Sequence, residues 1–365
     1  MRSRSFVIDL LALHKDAAYG FQQYILNILD YFYVHREEIK YDRVILVCKK
    51  SEAQMLSKYA DKFEIKEYGI NNYISRLGLQ TYIPIKLGLT SGDLLLSPGN
   101  TSGMIKRCPE ILVIHDLLFK RKELCNYKVR YHRKAYIPRS IKKADKIVAI
   151  SNFTKTDIEH FYPNAKGKIE VIYNPVHLSK YDCDCETGIA PGYFLAISSN
   201  VNYKNQKTIL KAYQKYCDKV GKKRLVIIGL KECNSEACLE YEQLPQMIKE
   251  NITWLSHVSN QEMGAIYRNA SCYISASKFE GFGMPVTEAM SFGLPVILSD
   301  IPTHREVSQN KGCYFAPTDV NHLVSIMLDM DFNKRNYAAS IRAAYSEGNT
   351  SARYVTLINE MWEVS

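Results

Sequence analysis

Two glutamates, Glu280 and Glu288, are separated by the turn-like sequence GFGMPVT. Gly281 and Gly283 let backbone approach a ligand closely, and Pro285 suits the first turn of a helix because its missing N–H loses no hydrogen bond there. The free N–H groups at a helix start, together with the helix dipole, suit a phosphate. Since a carboxylate accepts hydrogen bonds from vicinal hydroxyls, the segment is typical of a site for a sugar, a diphosphate and a ribose.

The elements around these glutamates follow a strand–turn–helix order. The run CYISAS at 272–277 predicts a strand, a helix from Pro285 ends at Gly293, and the run at 295–300 predicts the next strand. The other strand signals lie at residues 6–13, 43–49, 93–98, 110–116, 146–152, 169–176, 193–199, 223–229 and 252–258. Helical patterns separate them, so the chain is predicted to form parallel sheets with helices on both faces.

The length of 365 residues exceeds what one hydrophobic core usually serves. The alternation pauses in a turn-rich segment near residues 178–192 and then restarts. We therefore predict an α/β fold with two Rossmann-like, doubly wound domains, over residues 1–178 and 190–345. Ligands of such sheets bind beyond the carboxyl ends of the strands, so the expected site is the cleft between the two domains.

Composition and patterning argue against several other classes of protein. No apolar run approaches the ~18–20 residues that cross a bilayer, and Asp9 interrupts the N-terminal apolar run, which we interpret as a strand rather than a signal peptide. No G-x-G-x-x-G follows a predicted strand, which disfavours a nicotinamide or flavin enzyme. The ten cysteines lack zinc spacing and are expected to be reduced thiols.

The net charge of +10 is confined to the first half of the chain. Residues 1–180 carry 30 Lys and Arg against 18 Asp and Glu, and the remainder carries 18 against 20. The excess concentrates between Lys106 and Lys146, where Tyr127, Tyr131 and Tyr136 are interleaved with cations. Such a segment either binds a polyanion, such as nucleic acid, anionic lipid or a phosphorylated substrate, or forms a solvated helix face.

The spacing Glu280–GFGMPVT–Glu288 resembles the signature of the retaining glycosyltransferases of family 4, which is Glu, seven residues, Glu. Further segments look like parts of that family in the same order: residues 144–158, 169–176, 194–213, 252–277 and 351–363. The resemblance implies the GT-B architecture, two Rossmann-like domains facing a cleft. It also implies that residues 346–365 form a helix that packs back on the N-terminal domain.

The resemblance implies a role for each matching residue. Glu280, Lys204 and His115 are expected to be catalytic: Glu280 contacts hydroxyls of the donor sugar, Lys204 pairs with the departing diphosphate, and His115 lies near the reacting sugar. Glu288 is expected to hold the ribose. The other donor-binding residues are expected to be Phe282, Gly283 and Met284 through backbone amides, Gly20 in a first-domain loop, and Asn205. No metal or other cofactor is expected, because Lys204 and the helix start can neutralise the diphosphate.

The sequence also departs from the family pattern. Many members carry an arginine near the lysine, whereas this chain has Ser199 five residues before its lysine and Tyr203 directly before it. Lys207 or Arg305 is a candidate substitute. The first-domain loop has one glycine where two are common, and Pro175 stands where glycine is usual. The acidic stretch DCD at 182–184 looks like the metal ligands of the other glycosyltransferase architecture, but it lies in the predicted linker.

The resemblance implies retaining transfer of a hexose, with a lean toward mannose, from a nucleoside-diphosphate sugar to a glycan or lipid-linked acceptor in surface polysaccharide or glycolipid assembly. The basic first domain, with its aromatics, suits the anionic inner face of a membrane, so we expect a cytoplasmic, peripheral enzyme. The alternatives are a nucleotide-sugar epimerase of the same architecture and a non-catalytic sugar-nucleotide sensor. A nucleic-acid-binding protein would leave Glu280, Glu288 and Lys204 unexplained.

Overall fold

The computed structural model describes residues 2–14, 19–70, 73–125, 127–181, 185–197, 201–219, 223–229, 235–256 and 258–364. The chain divides into two compact units. Unit 1 comprises Met1–Pro175 and Glu347–Ser365, and unit 2 comprises Val176–Ser346. Within the described ranges, no helix combines the length and the apolar character that crossing a membrane requires.

Unit 1 contains a parallel sheet. Its strands in the described residues are β1 Ser5–Asp9, β2 Arg43–Lys49, β3 Glu64–Tyr68, β4 Leu94–Ser97, β5 Glu110–Ile114, β6 Lys146–Ala149 and β7 Ile169–Val171. They lie in the order β3-β2-β1-β4-β5-β6-β7. The chain winds outward in one direction from β1 and in the other from β4, so β1 and β4 flank the switch point of the sheet, where such folds bind ligands.

Unit 2 repeats this plan with a second parallel sheet. Its strands among the described residues are β8 Tyr193–Ile197, β9 Leu225–Ile228, β10 Ile252–Leu255, β11 Ala270–Ser275, β12 Val296–Ser299 and β13 Cys313–Phe315. They lie in the order β10-β9-β8-β11-β12-β13. The residues that follow β8, β11, β12 and β13 therefore meet along one edge of the sheet, the carboxyl edge.

Helices connect the strands in both units. In the part of the chain that the structure describes they are α1 Tyr19–Val34, α2 Tyr73–Lys86, α3 Tyr127–Lys143, α4 Asn152–Phe161, α5 Gln206–Lys219, α6 Glu236–Glu242, α7 Gln246–Lys249, α8 Asn260–Asn269, α9 Met284–Ser291, α10 Pro302–Val307, α11 Val320–Asp329, α12 Ala338–Ala344 and α13 Ser351–Glu363. The prediction of an α/β chain with two parallel sheets is confirmed.

Burial explains why the strands could be located in the sequence. The strands β1, β4, β5, β9 and β12 are buried along their whole length, whereas the edge strands β3 and β7 are only partly buried. A strand covered on both faces needs apolar side chains at successive positions, which yields a continuous apolar run. Strand ends were harder to locate: the strand predicted at 169–176 stops at Val171.

The C-terminal helix α13 belongs to unit 1 and packs against α1. The hydroxyls of Tyr24 and Tyr354 share a hydrogen bond, and both side chains are fully buried. The Tyr354 ring also meets Phe32 edge-on, with ring centroids 6.3 Å apart. At the solvent side, the Arg353 guanidinium donates to the Val171 carbonyl and to the Glu170 carboxylate, both at 2.7 Å.

We predict that Tyr354→Ala destabilises unit 1 strongly. The substitution removes a fully buried ring and leaves a cavity, which costs roughly 3–5 kcal/mol of unfolding free energy for large aromatic side chains. Denaturant unfolding followed by circular dichroism measures the loss. The control is Thr356→Ala, since Thr356 is exposed on the same helix. Equal unfolding midpoints for the two variants would contradict the prediction.

Candidate functional site

The turn between β11 and α9 presents backbone at the carboxyl edge of the second sheet. Gly283 has a φ of 92°, in the left-handed region that favours glycine. Phe282 and Met284 on either side of it are buried. In the first turn of α9, Pro285 has no N–H and the Val286 N–H donates to the Gly283 carbonyl at 3.0 Å, and this end of the helix is the positive end of its dipole. The turn therefore has a geometry that suits the anion predicted from the sequence.

Glu280 in this turn forms an ion pair with Lys204. Lys204 ends the short 3₁₀ helix Asn202–Lys204, and its Nζ lies 2.7 Å from Oε1 of Glu280. Burial, the largest single cause, raises the pKa of the Glu280 carboxyl, but the Lys204 ammonium, with smaller contributions from His304 and Ser277, leaves that pKa below its usual value. Burial lowers the pKa of the Lys204 amine, and Glu280 reverses this, so that the pKa is raised. Both groups are therefore charged at neutral pH.

Asn205 holds the loop of Lys204 in place. It adopts a left-handed conformation, with a φ of 55°, and it is buried. Its Nδ2 donates to the carbonyls of Ala276 at 2.9 Å and Pro317 at 2.7 Å, and its Oδ1 accepts from Thr208 Oγ1 at 2.9 Å. The side chain thus joins the loops that follow β8, β11 and β13. Contact between Asn205 and a donor stays a prediction.

Two hydroxyls fix the position of Glu280 itself. Ser277 Oγ donates to Oε1 of Glu280 at 2.7 Å. Thr303 Oγ1, in α10, donates to the Glu280 carbonyl at 2.8 Å. The loop of Lys204 is also joined to this turn, because the Lys278 N–H donates to the Tyr203 carbonyl at 2.7 Å. Backbone and side chain of Glu280 are therefore both held by hydrogen bonds.

His304 lies beneath this turn and is fully buried. Its Nδ1 lies 2.9 Å from the Ser299 carbonyl, which can only accept, so Nδ1 carries the proton. Ser299 Oγ in turn donates to the Ser277 carbonyl at 2.5 Å. Burial lowers the pKa of His304, and the Glu280 carboxylate only partly opposes this. His304 is therefore a neutral support for the turn that holds Glu280.

Glu288 lies in the second turn of α9 and is 7% exposed. The Tyr181 hydroxyl donates to its Oε1 at 2.8 Å, and the Tyr267 hydroxyl donates to its Oε2 at 2.9 Å. Lys180 Nζ lies 3.4 Å from Oε1. The carboxylate expected to bind a ribose therefore already accepts from groups of unit 2.

His115 follows β5 at the carboxyl edge of the first sheet. Its Nε2 lies 2.7 Å from the Pro98 carbonyl, so Nε2 carries a proton and Nδ1 is the ring acceptor when the side chain is neutral. The Asn100 Oδ1 accepts from its backbone N–H at 2.6 Å. The rings of Phe21 and Tyr24 meet it edge-on at 5.1 and 4.7 Å. Burial lowers the pKa of His115, which favours the neutral form.

The other predicted residues have varied surroundings. Gly20 is exposed in the first turn of α1, and a Cβ there would meet no atom of the described chain within 4 Å, so protein packing does not require glycine. Arg305 forms a bidentate pair with Asp300, at 2.5 and 2.8 Å, and lies over the Tyr314 ring. Lys207 lies in the first turn of α5. Neither cation is brought to Glu280 by a described contact.

Some sequence-based expectations fall outside the described residues. Ser199 and the stretch 182–184 lie there. Within the described ranges, the free thiols include those of Cys48, Cys108, Cys217, Cys272 and Cys313. Those ranges also contain no cluster of three or more His, Cys, Asp or Glu side chains arranged to hold a metal ion.

The structure adds residues that the sequence reasoning missed. Tyr181 and Tyr267 contact Glu288, and His304 supports the turn of Glu280. The tyrosines lie 107 and 21 positions away from Glu288, so no local spacing connects them to it. His304 follows the strand predicted at 295–300, and nothing else in the sequence indicated a role for it.

Two family models match the chain. Residues 190–345 match the model described as "Glycosyl transferases group 1", and residues 95–180 match "Glycosyltransferase Family 4". The O-antigen chain mannosyltransferase RfbU of Salmonella typhimurium is 31% identical over 180 residues, which cover 49% of each chain. A GDP-mannose:cellobiosyl-diphosphopolyprenol alpha-mannosyltransferase of Xanthomonas campestris is 28% identical over 204 residues, 52% of each chain. The matches thus span about half the length of these relatives.

The fold also has solved counterparts. Sucrose-phosphate synthase from Thermosynechococcus elongatus superposes with a TM-score of 0.76 at 13% sequence identity, over 99% of this chain and 100% of that chain. At this level of identity the likeness concerns the fold alone. The predicted GT-B fold class is confirmed, and the position of the predicted site between the two domains stays a prediction.

We predict that His304 makes the folded state less stable in acid. Its pKa is lowered on folding, so the unfolded chain takes up a proton below about pH 6.5 that the folded chain does not, and unfolding free energy falls as the pH decreases. The loss is at most about 1.4 kcal/mol per pH unit for one histidine. Thermal unfolding between pH 7.5 and 5.5 should show a shallower decline for His304→Gln. The exposed His322, changed to Gln, is the control, and equal slopes in both variants would refute the assignment.

Proposed function

Because the chain belongs to the GT-B glycosyltransferases of the family 4 type, we propose that it transfers a hexose from a nucleoside-diphosphate sugar to a hydroxyl acceptor with retention at the anomeric carbon. The observation that carries the proposal is the ion pair of Lys204 and Glu280 beside the start of α9. It places a cation and a carboxylate next to the positive end of a helix dipole. Those are the groups that a sugar diphosphate needs.

Lys204 and the start of α9 are proposed to stabilise the leaving group. The bond between the anomeric carbon and the diphosphate oxygen breaks with both electrons on that oxygen, which gains negative charge. An ammonium and a helix N-terminus favour that charge. The acceptor hydroxyl then bonds to the anomeric carbon on the same face and passes its proton to the departing diphosphate. No protein base is required in this scheme.

Glu280 is proposed to act on the sugar. Its carboxyl is ionised, since Lys204 holds its pKa below the usual value despite burial. An ionised carboxylate accepts hydrogen bonds from sugar hydroxyls and offsets the positive charge that develops at the anomeric carbon. Its hydrogen bonds to Ser277 and through its own carbonyl to Thr303 hold it still, so its charge needs no reorganisation during the reaction.

We also propose that transfer needs no metal ion. The charge of the diphosphate would be met by Lys204 and by the dipole of α9, so a divalent cation has no necessary task. A mannose-type donor and a lipid-linked or O-antigen glycan acceptor are proposed because the relatives are an O-antigen chain mannosyltransferase and a GDP-mannose:cellobiosyl-diphosphopolyprenol alpha-mannosyltransferase. Both relatives are transferases, which favours transfer over epimerisation or sensing.

A panel of UDP-, GDP-, ADP- and dTDP-sugars, with and without magnesium, tests the donor site. A ligand that binds only the folded state raises the melting temperature, by the equivalent of about 2.7 kcal/mol at a hundredfold excess over Kd. We expect a shift with one nucleotide, unaffected by magnesium and lost in Glu288→Ala but kept in the control Glu250→Ala, which changes an exposed carboxylate of unit 2. If no nucleotide shifts the melting temperature, the proposed function is wrong.

The same proteins separate the roles of the site in steady-state kinetics. Glu280→Ala and Glu280→Gln should lower kcat by roughly 100- to 1000-fold with a smaller effect on donor affinity, as for other lost electrostatic groups. Lys204→Ala should lower kcat and also weaken donor binding. Glu280→Ala with full activity would contradict the assignment. Release of free nucleotide and a rearranged sugar without any acceptor would indicate the epimerase. Binding of the donor without turnover would indicate the sensor.

We propose further that unit 1 binds an anionic membrane surface from the cytoplasmic side through α3. Tyr127 and Tyr131 are 73% and 82% exposed, and Lys134 and Lys142 are exposed on the same helix. Their spacing, at positions i, i+4, i+7 and i+15, places all four within one face of the helix. Exposed tyrosines flanked by lysines suit the interface of an anionic bilayer.

Vesicle sedimentation at low and high salt tests this surface. The protein should bind vesicles that contain anionic lipid at low ionic strength, and binding should weaken as salt screens the charges. The double variant Lys134→Glu/Lys142→Glu should lose most binding, whereas Lys215→Glu/Lys219→Glu, on α5 of unit 2, should retain it. Binding that is absent at low salt, or equal in the two double variants, would reject the surface.

A further inference from the structure

Glu288 has an unusual set of donors. A tyrosine hydroxyl has one proton to donate, and both Tyr181 and Tyr267 commit theirs to this carboxylate, one at each oxygen. Burial and the nearby Glu288 charge raise the pKa of both hydroxyls, so they remain protonated donors. Two donors at opposite oxygens fix the plane of the carboxylate, which would otherwise rotate about its terminal torsion.

The carboxylate retains acceptor capacity in this arrangement. An ionised carboxylate offers about four acceptor directions. Among the described residues, Oε1 receives Tyr181 and Lys180, whereas Oε2 receives Tyr267 alone. Glu288 can therefore still accept from an incoming hydroxyl, in a direction that the two tyrosines determine.

The tyrosines are themselves rigidly placed. Tyr267 is stacked on Phe292, with centroids 5.2 Å apart, and Tyr181 packs against both rings at 5.9 and 6.0 Å. Arg268 donates to the Tyr181 carbonyl at 3.2 Å. A Cβ at Gly264 would lie 2.3 Å from that carbonyl oxygen, so only glycine lets the segment of Tyr181 lie this close to α8. This packing fixes the positions of both hydroxyls relative to Glu288.

We propose that Tyr181 and Tyr267 are positioning residues that orient Glu288 toward the ribose hydroxyls of the donor and so select ribonucleoside over 2′-deoxyribonucleoside diphosphates. The inference rests on the proposed function, because it takes Glu288 to be the ribose-binding residue. It adds a specificity: donors built on a 2′-deoxynucleoside, such as dTDP-sugars, are poor ligands. Removing either tyrosine hydroxyl leaves the carboxylate free to turn toward Lys180 and away from the ribose.

Isothermal titration of the full chain with GDP and 2′-deoxy-GDP, and with UDP and 2′-deoxy-UDP, tests the proposal. For the nucleotide that binds, wild-type protein should prefer the ribose form by on the order of tenfold to a hundredfold, as expected for a hydrogen bond to a charged group. In Tyr181→Phe and Tyr267→Phe this preference should fall to within about threefold of unity. The loss should appear as weaker binding of the ribose form, with little change for the deoxy form.

The control is Tyr213→Phe, which removes a buried hydroxyl of the same unit that donates to the Lys223 carbonyl at 2.9 Å and to the Asn251 carbonyl at 3.2 Å. It should keep the wild-type preference. A merely structural role for the two tyrosines would lower the melting temperature and leave the ribose-to-deoxyribose ratio unchanged, and that result would overturn the proposal. Gly264→Ala displaces the Tyr181 segment without removing a hydroxyl and should lower the ratio as well, which provides an independent test if a phenylalanine variant does not fold.

Different results would contradict the proposed donor site and its proposed ribose selectivity. If wild-type protein binds neither guanine nor uracil nucleotides, and none of the wider panel, the proposed function is wrong. If it binds a nucleoside diphosphate but does not distinguish the ribose form, the donor site stands and the orientation of Glu288 by the tyrosines is wrong. A ratio that is high in wild type and low only in the variants of Tyr181, Tyr267 and Gly264 supports the proposal.

Discussion

The second unit keeps two carboxylates largely out of water, and the arrangement of its loops depends on this. An ionised carboxylate in surroundings of low polarity costs several kcal/mol unless donors or cations replace the lost water. Glu280 obtains Lys204 and Ser277, and Glu288 obtains two tyrosines and a lysine. Because these partners come from different elements, satisfying the carboxylates also fixes the loops relative to one another.

The two carboxylates are satisfied by different means, with different chemical consequences. Glu280 is neutralised mainly by the full positive charge of Lys204, whose Nζ lies 2.7 Å from Oε1 of Glu280. A sugar diphosphate carries anionic phosphate groups and hydroxyl groups. The ammonium of such a pair can bind the phosphates, and its carboxylate can accept hydrogen bonds from the hydroxyls. Glu288 is held mainly by neutral hydroxyls, which leave its negative charge available to hydrogen-bond donors. The first carboxylate is thus suited to a reacting centre and the second to recognition.

The topology makes these pairings possible. The loops after β8, β11, β12 and β13 meet at the carboxyl edge because their strands are parallel neighbours in one sheet. Lys204 follows β8, Glu280 follows β11 and Thr303 follows β12, so Glu280 is hydrogen-bonded to residues 76 and 23 positions away in the sequence. Unit 1 uses the same principle around β4 and β5, where Pro98 and Asn100 hold His115 in a defined orientation.

Much of the fold could be predicted from sequence because it depends on short-range patterns. Buried parallel strands need continuous apolar runs, which located β1, β5 and β12. The stretch from Glu280 to Glu288 indicated a strand, a turn and a helix, since glycine and proline have conformational limits that act locally. Strand ends were less predictable, as at Val171, because hydrogen bonding to a neighbouring strand decides where a strand stops.

The sequence by itself therefore determined the two parallel α/β units and the strand–turn–helix segment from Glu280 to Glu288, and it predicted Lys204 as a further residue of the candidate site. Only the tertiary structure decided how each is satisfied: Lys204 against Glu280, Tyr181 and Tyr267 on Glu288, and a neutral His304 beneath the turn. Local conformational preferences act over a few residues and produce periodic patterns of apolar residues in the sequence. Which groups pair with a buried charge depends on their distance in the folded structure, and the intervening sequence does not indicate it.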